Sequence, residues 1–298
     1  GMELAAEKIG VFEVGGKQYR WKLIVEDNEG GSAEGGVATT TKFIFDDGVD
    51  FVYQAGAAAS AAAQTLCEES RVILDMGTAT SDAFGPDHPY TTQTTCSLIT
   101  HVACFYDWLA EEHPEVKRIV VALFEDPATV AFAEAYASNM HEYFGFEQEI
   151  VRVATGTTEY YPVATTIMAK NPDLVIAGTQ AIDVLWEMGY EGLTCQYGPI
   201  MDQAMLEQAG WDDCKGMLFF FPEWYGAEEV WPEGVAFARE YEARYGVEMG
   251  TNAFTGLMKL EALTGALQEA GTVDDPDKIM EVIHSSRTFD SMVGSVYY

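Results

Sequence analysis

Short apolar runs alternate with segments of helical period along almost the whole chain of 298 residues. A run such as Ile119–Leu123 is apolar at every position, which is typical of a β-strand covered by helices on both faces. Strands that alternate with helices in this way predict parallel sheets joined by right-handed crossovers. The predicted strands are Tyr19–Val25, Val49–Gln54, Val72–Asp75, Arg118–Phe124, Phe146–Val153, Leu174–Ala177, Thr194–Tyr197 and Met217–Phe221.

The segments between these strands, and the region after Trp224, carry the helical period. The predicted helices are Gly35–Asp46, Ala59–Glu69, Leu98–Glu112, Thr129–Phe144, Tyr161–Lys170, Ala181–Met188, Gln203–Ala209, Val235–Tyr245, Thr251–Ala270 and Pro276–Ser285. The chain opens inside an amphipathic helix, whereas a doubly wound lobe normally opens with a strand, and residues 293–298 begin a new strand. We therefore expect a core fragment that is truncated at both ends.

The two halves of the chain share one pattern. Each places an apolar strand before a turn of small residues and a helix, at residues 53–57 in the first half and 176–180 in the second. No Gly/Ser-rich linker separates the halves, so the joins between them must be short. The predicted fold class is α/β, with two doubly wound parallel-sheet lobes joined by a multi-strand hinge.

The charge balance excludes some partners. The chain has 48 acidic and 16 basic residues, a formal net charge of −32. A surface with this much negative charge repels phosphate backbones and anionic lipid heads, and we expect no nucleic-acid partner. No apolar run approaches the roughly 18–20 residues that cross a bilayer, and the first residues do not have the pattern of a signal peptide.

Neither a metal site nor a catalytic site is predicted. The five cysteines show no CxxC or Cys/His spacing, and we expect no metal and no cofactor. Cys195 and Cys214 flank one predicted helix, and two interpretations stay open: a disulfide in an oxidising compartment, or buried thiols. None of the five histidines lies in a Gly-x-Ser-x-Gly or HExxH motif, and Walker and Gly-x-Gly-x-x-Gly sequences are absent. We therefore expect a protein that is not an enzyme.

The order of segments resembles the type I periplasmic binding proteins of the branched-chain amino-acid (Leu/Ile/Val) group, the substrate-binding proteins of ABC transporters. "GMELAAEKI" is similar to the family's first helix, "YRWKLIVEDNEG" to its second strand, and "VILDMGTATSDAF" to a strand and its Ala-Thr turn. "KRIVVALFEDPATVAFAEAY" resembles the strand that opens the second lobe. The most specific match is "TTEYYPVATTIMAKNPDLVIAG", in which several family elements occur in order. The resemblance implies a first lobe of residues 1–93 plus 225–290, and a second lobe of 94–223 that also takes 291–298 with the hinge.

The resemblance also implies a ligand site. Residues 56–60 and 78–81 each follow a predicted strand, where the amides at a helix start can hold a carboxylate without an arginine. The family places a Ser and an Ala-Thr pair at these points, which implies Ser60, Ala79 and Thr80; an ordinary N-cap is the alternative. The residues expected to bind ligand are Ala59, Ser60, Thr78, Ala79, Thr80, Thr129, Thr179, Gln180, Ile200, Trp224 and Tyr225.

The amino-acid half of the family's site does not carry over. Thr129 stands where the family commonly has a tyrosine, Thr179 and Gln180 stand where a second aromatic residue is expected, and Gly198–Met201 replaces a turn that bears an acid. A buried ammonium without a charged partner costs several kcal/mol. We therefore expect a small carboxylate with an apolar or aromatic tail rather than an α-amino acid, with Trp224 and Tyr225 as stacking residues. Amides, urea and polyols remain alternatives.

The resemblance implies a role and a partner. We expect an extracytoplasmic solute-binding protein, periplasmic or extracellular, that delivers a small molecule to the membrane permease of an ABC importer. A lipid anchor on a preceding segment is an open alternative for its localisation. The alternative function is the ligand-sensing domain of a receptor or of an amide-type regulator. In either case, a ligand that contacts both lobes would favour the closed form of the hinge.

Overall fold

The computed structural model describes residues 1–95, 97–125, 129–154, 156–196, 217–218, 228–229, 231–285, 288–292 and 294–297. The chain divides into two compact units. The first, here called the N-terminal unit, consists of Gly1–Cys96 and Glu223–Tyr298. The second, the middle unit, consists of Ser97–Pro222. The chain therefore passes from one unit to the other twice.

The middle unit has a five-stranded parallel sheet at its centre. The spatial order of the strands is β10-β9-β8-β6-β7, so β6 lies between two neighbours. Their bounds are β6 Arg118–Phe124, β7 Glu147–Val153, β8 Leu174–Ala177, β9 Leu193–Gln196 and β10 Met217–Leu218. The register pairs Val120 with Glu149 on one side and with Val175 on the other.

Among the described residues of this unit, five helices accompany the sheet: α4 Leu98–Glu112, α5 Val130–Ala137, α6 Met140–Tyr143, α7 Tyr161–Met168 and α8 Thr179–Glu187. The sheet is buried on both faces because the residues of β6 alternate between two apolar clusters. Val120 packs with Ile167 and Ile182 on one face. Val121 packs with Leu109 on the other face. This explains why the strand is apolar at every position.

The N-terminal unit contains a three-stranded parallel sheet in the order β3-β4-β5. Two antiparallel hairpins, β1-β2 and β11-β12, accompany it. The strands are β1 Phe12–Val14, β2 Lys17–Tyr19, β3 Phe51–Gln54, β4 Ile73–Met76, β5 Thr91–Thr92, β11 Thr288–Ser291 and β12 Gly294–Tyr297. The helices are α1 Met2–Ile9, α2 Ala33–Thr41, α3 Ala57–Ser70, α9 Pro232–Tyr245, α10 Thr251–Ala270 and α11 Pro276–Ile283; a π-helical turn follows α2 at Lys42–Asp46, and a 3-10 turn lies at Ser81–Ala83.

The long helix α10 organises the packing of the N-terminal unit. Its residue Leu257 packs with Leu4 of α1 and Phe237 of α9. Further along, Leu267 packs with Ile279 of α11 and Ile73 of β4. A separate cluster joins α3 to β3 and β4. The helix therefore connects both ends of the chain to the central sheet.

The predicted strand Tyr19–Val25 is wrong beyond its first residue. The strand found here, β2, ends at Tyr19 and pairs with β1 around a turn at Gly15 and Gly16, which both have positive φ. Residues 20–28 have no regular secondary structure. Alternating apolar residues form a strand only where a neighbouring strand supplies backbone partners, and no such neighbour lies beside this segment among the described residues.

Two other predictions need correction. The single helix predicted for Thr129–Phe144 is two helices, α5 and α6, because Asn139 adopts a left-handed conformation with φ 61°. Residues 291–298 were predicted to belong with the second lobe. They lie in the N-terminal unit instead, where β12 pairs with β11 and Phe289 joins the apolar cluster around Leu267. The predicted helix Gln203–Ala209 lies outside the described residues.

Candidate ligand-binding edges of the two units

In the N-terminal unit, the turn between β3 and α3 exposes backbone donors. Gly56 lies at φ 87°, and a Cβ there would be 3.0 Å from the Cα of Gly31, so glycine permits this close approach. In the first turn of α3, Ala59 N donates to Gly31 O and Ser60 N donates to Gly56 O. The amides of Ala57 and Ala58 have no acceptor within the described part of the chain. These two N–H groups are at the positive end of the helix dipole.

Ser60 does not face outward from this turn. Its side chain is fully buried, as is that of Ala59, and the Ser60 hydroxyl donates to the carbonyl of Gln54 at 2.9 Å. The single hydroxyl proton is thus used inside the protein. Donation from Ser60 to a ligand, as the resemblance implied, would require this bond to break. In the structure Ser60 fixes the turn that presents the amides of Ala57 and Ala58.

Gln54, which was absent from the predicted site, also holds this turn. Its buried Nε2 donates to the hydroxyls of Thr39 and Thr40, each at 2.8 Å. Its Oε1 accepts from Nδ2 of Asn28 at 3.0 Å, and Asn28 also donates to the carbonyl of Ala55. In the sequence, the feature that could have pointed to Gln54 is a single amide side chain at the end of an apolar strand. A buried polar group of this kind needs partners, and here they come from α2 and the loop before it.

The turn after β4 lies against the turn after β3, because Gly77 N donates to Gln54 O at 2.8 Å. Thr78, Ala79 and Thr80 follow and are partly exposed. Their amides have no acceptor among the residues described here. The hydroxyl of Thr80 donates to the carboxylate of Asp82, so it is also engaged within the protein. The two turns together present five backbone N–H groups at the carboxyl edge of the sheet.

A buried ion pair lies beneath this edge. Lys259 of α10 is 3% exposed; its Nζ contacts Asp75 Oδ1 and donates to Met76 O at 3.3 Å. The ammonium also lies 4.7 Å from the ring centroid of Tyr53. Burial lowers the pKa of Lys259, an effect that Asp75 opposes. Burial also raises the pKa of Tyr53 to about 12. The charge of Lys259 is balanced within the unit, and the exposed donors at the edge are backbone amides.

At the carboxyl edge of the middle unit's sheet, Glu125 follows β6 and its Oε1 lies 3.9 Å from Nε of Arg152, whereas the predicted residues of this edge are neutral. Thr129 is buried, and its hydroxyl donates to Phe124 O at 2.5 Å. Thr179, at the start of α8, is also buried, and its hydroxyl donates to Gln196 Oε1 at 3.4 Å, while Gln180 is exposed. Gly178 O accepts from the amides of residues 181 and 182, so the amides of Thr179 and Gln180 have no acceptor in the described ranges. Gln196, like Gln54, was not predicted.

Three predicted site residues, Ile200, Trp224 and Tyr225, lie outside the described residues. Cys214 does as well. Its candidate partner Cys195 is a buried thiol whose Sγ donates to the carbonyl of Gln196 at 3.3 Å. Burial raises the pKa of this thiol, which disfavours the thiolate form. The structure thus places Cys195 in the apolar core of the middle unit.

The described residues contain no group of three or more His, Cys, Asp or Glu side chains arranged to hold a metal ion. Nor does any helix among them combine the length and apolar character needed to span a bilayer. The predicted residues at the two edges offer hydrogen-bond donation by backbone amides and neutral side chains. This suits the binding of an anionic or polar group.

Comparison with known proteins extends these observations. A family model described as "Periplasmic binding protein" matches residues 1–298. The leucine-binding protein LivK of Thermotoga maritima is similar in structure, with a TM-score of 0.81 at 20% identity over 98% of this chain and 83% of that one. A solute-binding protein from Rhodopseudomonas palustris, solved with benzoate, has a TM-score of 0.78 at 16% identity over 99% and 81%.

A third similar structure is an ABC transporter solute-binding protein of Rhodopseudomonas palustris BisB5, solved with 3,4-dihydroxybenzoic acid. Its TM-score is 0.74 at 19% identity, over 98% of this chain and 81% of that one. These likenesses agree with the two α/β units and their parallel sheets, and the family match covers the whole chain. The chain belongs to the family of periplasmic binding proteins.

Proposed function

We propose that this protein is the extracytoplasmic solute-binding component of an ABC importer, and that its ligand is a small carboxylate with an apolar or aromatic tail. The observation that carries the proposal is the set of five amides at the carboxyl edge of the N-terminal unit, from Ala57, Ala58 and Thr78–Thr80. Hydrogen bonds from N–H groups to an ionised carboxylate are stronger than those between neutral groups. Two helix or turn starts side by side therefore suit one carboxylate.

The choice of a carboxylic acid over an α-amino acid rests on the missing partner for an ammonium. The predicted ligand-binding residues that the structure describes include no Asp or Glu. Lys259 and Asp75 neutralise each other, and Asp75 also accepts from Thr94 N at 3.2 Å. Thr129, Thr179 and Gln180 would give an ammonium no charged partner, and Glu125, which follows β6, is paired with Arg152 at 3.9 Å. Two of the similar structures contain benzoic acids, which have a carboxylate and no amine.

Capture of the ligand follows from the two-unit organisation. The chain crosses between the units at 96–97 and again at 222–223, so few covalent connections restrain their relative motion. A ligand that binds the edges of both units has higher affinity for the closed arrangement and shifts the population toward it. The closed arrangement is the one that a membrane permease would recognise.

Isothermal titration with a matched set of ligands tests the proposal. We expect benzoate to bind and benzamide, its neutral counterpart of the same shape, to bind at least about 10-fold more weakly, since a charge-assisted bond contributes about 1.5–3 kcal/mol. Leucine should not bind in the micromolar range. Binding of leucine tighter than that of every carboxylic acid tested would contradict the assignment of the ligand class.

One substitution isolates a single amide donor. Ala57 is the first residue of α3, where proline is tolerated because its missing N–H has no partner within the helix. Ala57→Pro therefore removes one donor with little effect on folding. We expect binding of the best carboxylate to weaken about 10- to 100-fold. Ala57→Ser keeps the N–H group and serves as the matched control; equal affinity of the two variants would refute a role for this amide.

A further inference from the structure

The surface of this protein has too few cations to neutralise its carboxylates. The chain has 48 acidic and 16 basic residues, so even one-to-one pairing of every basic residue would leave two thirds of the acids without a partner. Both units share the excess, because each contains more than twice as many acidic as basic residues. The net charge of −32 exceeds the magnitude of about 2–8 that keeps a small domain soluble. The folded chain therefore brings together carboxylates that repel one another.

The ion pairs of the described residues show how scarce the cations are. Lys42 serves two carboxylates at once, with its Nζ 2.8 Å from Glu26 Oε1 and 2.7 Å from Asp47 Oδ2. Elsewhere two carboxyl groups lie close enough to interact: burial raises the pKa of Asp50, and the negative charge of Asp274 raises it further. A like-charged neighbour raises the pKa of a carboxyl group because it disfavours ionisation. Such contacts destabilise the folded chain when dissolved ions are scarce.

Helix α4 ends in three acids that no cation neutralises within the described ranges. Asp107, Glu111 and Glu112 lie in its last two turns, and all three are exposed and make no ion pair there. Asp107 and Glu111 are four residues apart and thus neighbours on the helix surface, where like charges destabilise a helix. The last turn has no basic residue, so these acids also lie at the unfavourable, negative end of the helix dipole. Dissolved ions that screen the carboxylates reduce both costs.

We propose that this protein is adapted to high ionic strength, on the order of 1 M monovalent salt, and that its stability rises with salt concentration up to this range. The length scale of screening supports the proposal. The Debye length is about 10 Å at 0.1 M salt and about 3 Å at 1 M. Side chains one helical turn apart are separated by about 5–6 Å, so their repulsion persists at 0.1 M and is largely screened at 1 M. Apolar packing and backbone hydrogen bonds act at shorter range and remain.

The same charge regulates the candidate ligand site, a consequence that rests on the proposed function. A carboxylate meets the field of an acidic surface before it reaches the amides of Ala57 and Ala58. This repulsion is long-ranged and screened by salt, whereas hydrogen bonds from N–H groups to a carboxylate form at about 2.7–2.9 Å. The affinity for a carboxylate should therefore rise with salt concentration. An anion that binds a positively charged surface shows the opposite dependence.

Two variants with the same change in net charge test the proposal about stability. One neutralises the acids at the end of α4: Asp107→Asn, Glu111→Gln and Glu112→Gln. The matched control neutralises three exposed acids that have ion-pair partners: Glu7→Gln, Glu147→Gln and Glu149→Gln. The Tm of each chain is measured at about 0.1 M and about 2 M NaCl.

We expect the Tm of the unchanged chain to rise by at least about 10 °C from the lower to the higher salt concentration. At the lower concentration the α4 variant should melt about 3–6 °C above the unchanged chain, and the control should not. At the higher concentration the α4 variant and the unchanged chain should agree within about 1 °C, because screening removes the repulsion. Exclusion of salt from the surface would instead stabilise both chains alike and preserve their difference.

Titration with benzoate and neutral benzamide at about 0.1 M and about 1 M NaCl tests the consequence for binding. We expect the Kd of benzoate to fall about 5-fold and that of benzamide to change less than about 2-fold, because a surface potential of a few kT acts only on the charged ligand. Benzoate binding that weakens at the higher salt concentration would contradict this consequence.

Other outcomes would overturn the proposal itself. A Tm of the unchanged chain that differs by less than about 2 °C between the two salt concentrations would do so. An α4 variant that keeps its advantage at the higher concentration would also overturn it, as would equal Tm values of the α4 variant and the control at the lower concentration. The melting series uses no ligand. Failure of every carboxylate to bind would therefore count against the proposed function, while the melting series would still decide whether the protein is adapted to high salt.

Discussion

The buried ion pair between Lys259 and Asp75 supports a prediction about stability. Lys259→Met removes the ammonium and keeps a side chain of similar length that favours a helix. Asp75 would then be a carboxylate with 18% of its side chain exposed and no cationic partner. Removing one member of a buried pair costs roughly 3–5 kcal/mol. Asp75 retains the amide and hydroxyl of Thr94 as donors, so we expect the lower end, about 3 kcal/mol.

The double variant Lys259→Met with Asp75→Asn shows whether the loss arises from an unpaired charge. Asparagine keeps an oxygen that accepts from Thr94 and carries no charge. The pKa of Lys259 is already lowered, because the cost of burying the ammonium exceeds the attraction of Asp75. A neutral pair avoids that cost, so the double variant should recover at least half of the stability that Lys259→Met alone loses.

Thermal unfolding followed by circular dichroism is a suitable assay, with hydrogen exchange of β4 and α10 to assign the change to the N-terminal unit. For a unit of this size about 3 kcal/mol lowers Tm by roughly 6–12 °C. The reasoning would be refuted if Lys259→Met unfolded within about 0.5 kcal/mol of the unchanged chain. A double variant no more stable than Lys259→Met would also refute it, because the loss would then come from packing rather than charge.

The remaining predictions concern pH and close packing. Burial lowers the pKa of His101 to about 4, so between pH 6.5 and 4 the unfolded chain binds a proton that the folded chain does not, and the free energy of unfolding falls as the pH falls. His101→Gln should remove roughly 2 kcal/mol of the stability that is lost between pH 7 and about 4.5, as measured by urea unfolding. An unchanged pH dependence of stability in this variant would contradict the argument. A Cβ on Gly36 would lie 2.6 Å from the backbone of Ala59, so Gly36→Ala should force α2 away from α3 and lower the stability by about 1–3 kcal/mol. Val37→Ala on the exposed face of α2 is the control, and equal stability of the two variants would refute the close approach of the helices.

Much of the fold could be read from local patterns. The strands Arg118–Phe124 and Leu174–Ala177 and the helices Leu98–Glu112 and Thr251–Ala270 were predicted with the bounds that the structure has. The two strands are short runs that are apolar at almost every position, because burial on both faces of the sheet selects them. Succession of strand and helix then restricts the topology to parallel sheets. The α/β class and the two-part organisation needed no tertiary information.

Local patterns did not determine which polar groups form hydrogen bonds or ion pairs with one another. Residues 20–25 alternate like a strand, yet they have no neighbouring strand and no backbone hydrogen-bond partner in the part of the chain that the structure describes. Ser60 has the sequence position of a ligand-binding serine, yet its hydroxyl donates inward to Gln54. The roles of Ala59, Thr78–Thr80, Thr129, Thr179 and Gln180 as ligand-binding residues stay predictions.

What the sequence by itself determined is therefore the class of fold, most of its elements and the resemblance to a family, since these depend on periodicity and order along the chain. What only the tertiary structure decided is the arrangement of charges and donors at the sheet edges. Lys259 and Asp75 are 184 residues apart in sequence and form one buried pair. Hydrogen bonds and ion pairs depend on distance in space, and no local period reports which distant residue will be the partner.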